Sequence, residues 1–136
     1  MMRRRLALVP LVVARLPMAV VVEVGLRVLP LPRLAKLVGA ELALDEPTAT
    51  PGPVDLSASE RRRVSAAYAL YARLREPGRC LRRSFVVAHT LRDRDPVLRI
   101  GTAAGHRQHA WVEIGGAALD AGAHTFTPLR RAKHRG

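Results

Sequence analysis

The chain is poor in cysteine, in aromatic residues and in negative charge, and each shortage excludes a class of protein. Its one cysteine, Cys80, rules out an intramolecular disulfide framework and any zinc site built on cysteine pairs. A reducing compartment follows, and the cytoplasm is the expected one. Aromatic residues make up only 4% of the chain, too few for the stacking platforms of single-strand binders, and no zinc-finger spacing or helix-turn-helix punctuation accompanies them. A nucleic-acid-binding module is therefore disfavoured despite the charge. Long apolar runs are missing as well. Arg3-Arg4-Arg5 followed by Leu6 to Val13 has the look of a short signal sequence, but no small-x-small cleavage site comes after it. Pro10, Arg15 and Pro17 interrupt the run toward Val22, so neither a signal peptide nor a spanning helix is favoured.

What is present bounds the answer further. At 136 residues, 49% of them hydrophobic, the chain has material for one ordinary core and not for two. The 23 basic and 11 acidic residues leave a formal charge of +12, clustered at Arg3-Arg4-Arg5, Arg61-Arg62-Arg63, Arg82-Arg83 and residues 130–135. Such a field suits acidic partners, and it equally suits a chain that uses arginine as its solvated surface residue.

Residues 1–46 read as an N-terminal segment of short amphipathic helices, with Leu26, Leu29, Leu31, Leu34, Leu37 and Val38 set among Arg27, Arg33 and Lys36 and broken at Pro30 and Pro32. Packing on the body of the protein is its favoured role; a membrane surface or a partner protein are the others. Residues 47–56 have the composition of a linker. A helix then opens at Ser57, whose spacing to Glu60 is that of a capping box, and buries Val64, Ala67, Tyr68, Tyr71 and Leu74 before Pro77-Gly78 ends it. Both tyrosines are expected in the core with wet hydroxyls. Residues 57–129 form the body, and residues 130–136 a basic tail.

Cys80 follows that break at the start of a second helical pattern, with Leu81, Phe85, Ala88 and Leu91 on its apolar side. A thiol at a helix N-terminus faces backbone N–H groups and the positive end of the macrodipole, which favour the nucleophilic thiolate. The alternative is a buried structural cysteine. Past Asp93-Arg94-Asp95-Pro96 the period becomes two: a strand at Val97 to Gly101, a second at His109 to Ile114, and a third at Ala117 to Asp120 after a tight turn at Gly115-Gly116. Alternation puts Ala110, Val112 and Ile114 on one face and His109, Trp111 and Glu113 on the other. Counted from the turn, Trp111 stands opposite Asp120, two residues from His109. A thiol, an imidazole and a carboxylate in that order are the groups of a cysteine hydrolase. His106 competes with His109, while His89 and His124 read as a helix-face and a loop histidine.

Cys80-Leu81-Arg82-Arg83-Ser84, His109-Ala110-Trp111-Val112-Glu113, Asp120 and the closing Phe126-Thr127-Pro128-Leu129 together resemble the transglutaminase-like peptidases of lasso-peptide biosynthesis, in the split form whose peptidase half is a separate chain. The likeness runs over residues 60–129. Asp95-Pro96-Val97 stands where relatives carry a glycine-containing turn, and Ala121 follows the carboxylate where an Asn-Asp pair is usual. The resemblance implies an α+β fold, a papain-like core in which a helix bearing the cysteine packs on a small antiparallel sheet. It implies Cys80 as nucleophile, His109 as general base and acid, and Asp120 as the group orienting the imidazole, with no cofactor and no metal. The implied activity is removal of the leader peptide from a ribosomal precursor before macrolactam closure. The implied partners are that leader, a small leader-binding protein and an ATP-dependent cyclase. A catalytically silent scaffold for such a complex is the alternative reading.

Overall fold

In the computed structural model of the chain, the residues described are 2–44, 54–75, 78–102, 108–119 and 127–128. Three helices come first: α1 (Met2–Val13), α2 (Leu16–Val28) and α3 (Leu31–Val38). The prolines expected to break this segment mostly start its helices. Pro17 and Pro32 each sit in a first turn, where the missing N–H has no intrahelical partner to lose. Pro10 is tolerated inside α1. The stretch Leu8–Val28 is 21 residues long and apolar enough, on length and composition alone, to cross a membrane. In this fold it turns Val22 and Gly25 inward and leaves Val20, Val24 and Val28 exposed.

Short strand β1 (Glu41–Ala43) follows, then α4 (Ala58–Tyr71) and α5 (Arg79–Thr90). The capping box of α4 forms as its spacing predicts: Ser57 Oγ accepts from Glu60 N at 3.1 Å, and the Glu60 carboxylate accepts from Ser57 N at 2.8 Å. Ala67 and Tyr71 are buried and Val64 and Tyr68 half-buried. Leu74 departs from expectation. The helix stops at Tyr71, so the helical spacing that would carry Leu74 inward ends first, and its side chain is 49% exposed. Gly78 belongs to the next element as the residue preceding α5, in the left-handed region at φ +92°; Pro77 lies outside the described residues.

A 3-10 turn at Arg92–Arg94 leads into β2 (Val97–Thr102), β3 (Gln108–Ile114), β4 (Ala117–Ala118) and β5 (Thr127–Pro128). Asp95, at the position where a glycine-containing turn was expected, takes the left-handed conformation itself, φ +49°, which aspartate tolerates better than most side chains. β2, β3 and β4 form an antiparallel meander, with Ile114 facing Ala117 and Glu113 facing Ala118 across Gly115-Gly116. Both turn glycines have positive φ, as a two-residue hairpin of this hand requires. On the other side of β2, β1 pairs with Val97 to Arg99 and β5 with Gly101 and Thr102. β1 runs parallel, because the chain crosses back through α4 and α5 before entering β2. The sheet is therefore mixed where an all-antiparallel one was expected.

One core joins these parts. Val22 of α2 and Leu34 and Val38 of α3 meet Phe85, Val86 and Ala88 of α5 and Leu98, Val112 and Ile114 of the sheet. Each fully buried Leu, Val or Phe among them contributes roughly 1.5–3 kcal/mol by removal from water. The close approach of α2 to α3 depends on Gly25, where an added Cβ would stand 2.5 Å from Leu34 Cδ1.

Candidate active site

Cys80 is the second residue of α5 and is buried. The helical hydrogen-bond ladder begins only at Arg82 N, bonded to Gly78 O at 3.2 Å, so the amides of residues 79–81 lie ahead of it and carry the positive end of the helix. Neither an acidic residue in the first turn nor a side-chain cap offsets that end among the described residues. Glycine suits the entry at position 78, because the positive φ there would strain most other residues.

The four residues after Cys80 fasten this turn in three directions. Arg82 Nε donates to Glu23 Oε2 of α2 at 2.6 Å. The Arg83 guanidinium lies 4.3 Å from the centre of the Tyr68 ring on α4, a cation–π contact. Ser84 Oγ donates to Ala110 O of β3 at 3.0 Å. The last bond defines how helix and sheet meet. Leu119 N bonds Val112 O at 2.9 Å on the hairpin side of β3, and carbonyls two residues apart on a strand point the same way. Ala110 O thus projects from the same edge, and Ser84 takes the ladder position beyond the short strand β4. Cys80 is one helical turn before Ser84, and His109 is one residue before Ala110. Cys80 and His109 consequently stand on segments joined by this buried bond.

His109 begins the second face of β3. Its ring stacks on Trp111, with centroids 6.0 Å apart and planes 17° from parallel. Trp111 Nε1 donates to Glu113 Oε1 at 3.1 Å, and Arg99 Nε donates to Glu113 Oε2 at 2.8 Å. Arg99 is the direct cross-strand partner of Trp111, and Gly101 that of His109. The histidine therefore has no side chain opposite it on β2, while its ring is backed by a buried, hydrogen-bonded row. Asp120, the expected orienting carboxylate, lies outside the described residues, as do His106 and His124. His89 is a helix-face histidine as expected, its Nδ1 3.2 Å from Val38 O.

Sequence reasoning quoted Ser84 in the cysteine motif without giving it a role, and passed over Arg99 and the Glu23–Arg82 pair. Ser84 had a signal, since it lies one turn past Cys80 on the same helix face. Arg99 also had one, as the only charge inside β2. Glu23 had none, because its partner is 59 positions away. Among the described residues no group of three or more His, Cys, Asp or Glu side chains is placed to hold a metal.

A family model described as the transglutaminase-like superfamily matches residues 18–131. No curated protein and no solved structure matches the chain.

Proposed function

Because this chain belongs to the transglutaminase-like superfamily, which includes cysteine peptidases, we propose that it is a cysteine peptidase removing the leader from a ribosomally made lasso-peptide precursor. The observation that carries this reading is the Ser84–Ala110 bond, which ties the helix start holding Cys80 to the strand start holding His109.

The Cys80 thiolate attacks the carbonyl carbon of the last leader residue and forms the C–S bond. Backbone N–H groups at the start of α5 receive the developing oxyanion. His109 donates its proton to the departing amine as the C–N bond breaks, leaving leader bound as a thioester. Water, deprotonated by His109, then attacks the thioester; the C–S bond breaks and the thiolate returns. Asp120 orients the imidazole in this scheme. The stack on Trp111 restricts the ring plane, so less ordering is left for the transition state. The freed core amine is the nucleophile a separate ATP-dependent cyclase needs, and a small leader-binding protein presents the precursor. The reaction belongs to the cytoplasm, where the thiol stays reduced.

The test is mass spectrometry of a lasso precursor peptide incubated with this protein and a leader-binding partner. Wild type should release intact leader, and Cys80→Ala and His109→Ala should not. Cleavage by either variant at the wild-type rate would refute the assignment, and no cleavage by any of the three would favour the scaffold reading.

A further inference from the structure

A cleft between α2, the end of α4 and the start of α5 takes no part in the chemistry proposed above. It is open to solvent and offers about 520 Å3, within the ~300–1,000 Å3 usual for ligand sites. Leu16 and Val20 of α2, Leu70 of α4 and Leu74 just beyond that helix give it an aliphatic lining. Three of these four remain substantially exposed, Leu16 at 45%, Val20 at 61% and Leu74 at 49%, so the fold itself leaves this lining wet. Charge is added by Arg75, Arg79 and Arg82 against the single carboxylate Glu23. Glu23 is engaged by Arg82 at 2.6 Å, and the described lining is net positive. Its lining includes Arg79, the residue before Cys80.

We infer that this cleft is an exosite for an acidic, aliphatic-rich segment of the peptide substrate, an inference that rests on the peptidase reading for the identity of the peptide. Guanidinium groups pair carboxylates in a planar, two-bond geometry, and the aliphatic side chains between those carboxylates fill the lining. Nucleic acid is a poorer occupant, because the lining is aliphatic where bases need aromatic faces. The structure also relocates the acidic-substrate contact that the charge pattern suggests. Arg82 is held by Glu23 and Arg83 lies over Tyr68, so reversing either charge would loosen the helix start. Val20 and Arg75 are exposed and can be changed without touching that turn.

Binding is measured with full-length Cys80→Ala protein and three fluorescein-labelled synthetic peptides of about twelve residues, alternating Leu/Glu, Leu/Lys and Ser/Glu, followed by anisotropy at low salt. The Leu/Glu peptide should bind about tenfold or more tighter than either other, and Val20→Asp or Arg75→Glu should each remove about tenfold of that affinity. Far-UV circular dichroism, and in the Cys80-containing protein the alkylation rate of the thiol, should stay unchanged. With a cleavable precursor, Arg75→Glu should raise KM and leave kcat. Equal binding of the Leu/Lys peptide, or wild-type affinity in both variants, overturns the exosite. So does binding to phosphatidylglycerol vesicles, lost in Val20→Asp, with no peptide binding; the face would then be a lipid contact. If Leu/Glu discrimination holds but wild type cleaves no precursor, the peptidase reading falls and the cleft stands. If precursor is cleaved with one KM in all variants, the reverse is true.

Discussion

Glu113→Gln replaces one carboxylate oxygen with an NH2 group at a point where two N–H donors converge. Trp111 Nε1 donates to one oxygen at 3.1 Å and Arg99 Nε to the other at 2.8 Å, and the Arg99 and Glu113 side chains are only 4% and 3% exposed. Whichever way the glutamine amide turns, its NH2 faces one of those donors, and the charge that balanced Arg99 is gone. Removing one member of a buried pair costs about 3–5 kcal/mol; the surviving hydrogen bond returns roughly 1 kcal/mol, leaving about 3 kcal/mol. That is a large part of the ~5–15 kcal/mol that holds a domain folded. At a urea slope of ~1–3 kcal/mol per molar, the midpoint should fall by roughly 1–3 M. Trp111 is the only tryptophan, so its fluorescence reports unfolding from inside the perturbed cluster. The double variant Arg99→Met/Glu113→Leu removes both charges and should unfold at higher urea than Glu113→Gln, since a hydrophobic replacement of a buried pair is often neutral or stabilising. A Glu113→Gln protein within about 0.5 kcal/mol of wild type would refute the reasoning, because surface substitutions cost no more than that.

Three further outcomes follow from the same geometry. Ser84→Ala removes the donor to Ala110 O and should cost about 1–2 kcal/mol in urea unfolding, with kcat for precursor cleavage falling more than KM changes because the Cys80 turn loses its tie to β3. Gly25→Ala drives a methyl against the buried Leu34 side chain and should destabilise by about 1–3 kcal/mol; an unchanged thermal midpoint would mean that α2 and α3 separate freely. His89 is held below the usual histidine value of 6.5, chiefly by burial and also by Arg92 and Arg15, against the opposing bond to Val38 O. The unfolded chain therefore binds the proton first, so this contribution to stability is intact above pH 6.5 and is lost as pH falls through the lowered folded value. His89→Gln should flatten the stability profile in that window. The carboxylates of Glu23, lowered first by its bond to Arg82, and Glu60, lowered first by its bond to Ser57 N, should still produce a second loss below the usual 4.5.

Local patterns in the sequence were readable because local rules govern them. The Ser57-to-Glu60 capping box, the helix opening at Cys80 and the Gly115-Gly116 hairpin need only neighbours a few residues apart. The alternation of His109, Trp111 and Glu113 against Ala110, Val112 and Ile114 is legible for the same reason. Leu74 misled because helical spacing continues in the sequence after the helix has stopped. The parallel β1 was hidden: three residues, Glu41–Ala43, carry no pattern of their own and gain a partner only when α4 and α5 have crossed back. Arg82 and Arg83 misled differently. Adjacent arginines read as one charged patch, yet neighbours on a helix point about 100° apart, and these two go to different helices.

That divergence explains how the first turn of α5 is held still. Arg82, Arg83 and Ser84 reach α2, α4 and β3 respectively, so the residues following Cys80 are constrained from three sides. His109 is fixed by a different device, a stack on Trp111 that Glu113 and Arg99 anchor from within the sheet. The two halves meet at the Ser84–Ala110 bond and through the core that Phe85 and Val86 of α5 share with Val112 and Ile114 of β3. A substitution in the Glu113 cluster should thus disturb the imidazole and spare the thiol, and one at Glu23 should do the opposite. Alkylation of Cys80 distinguishes them: Glu23→Gln should change its rate, and Glu113→Gln, assayed at a urea-free temperature where the protein is folded, should leave it within about twofold, the limit set by the ~0.3–0.5 kcal/mol within which independent sites add. Equal effects of both would mean that helix and strand respond as one body and that the thiol and the imidazole are not held by separate devices.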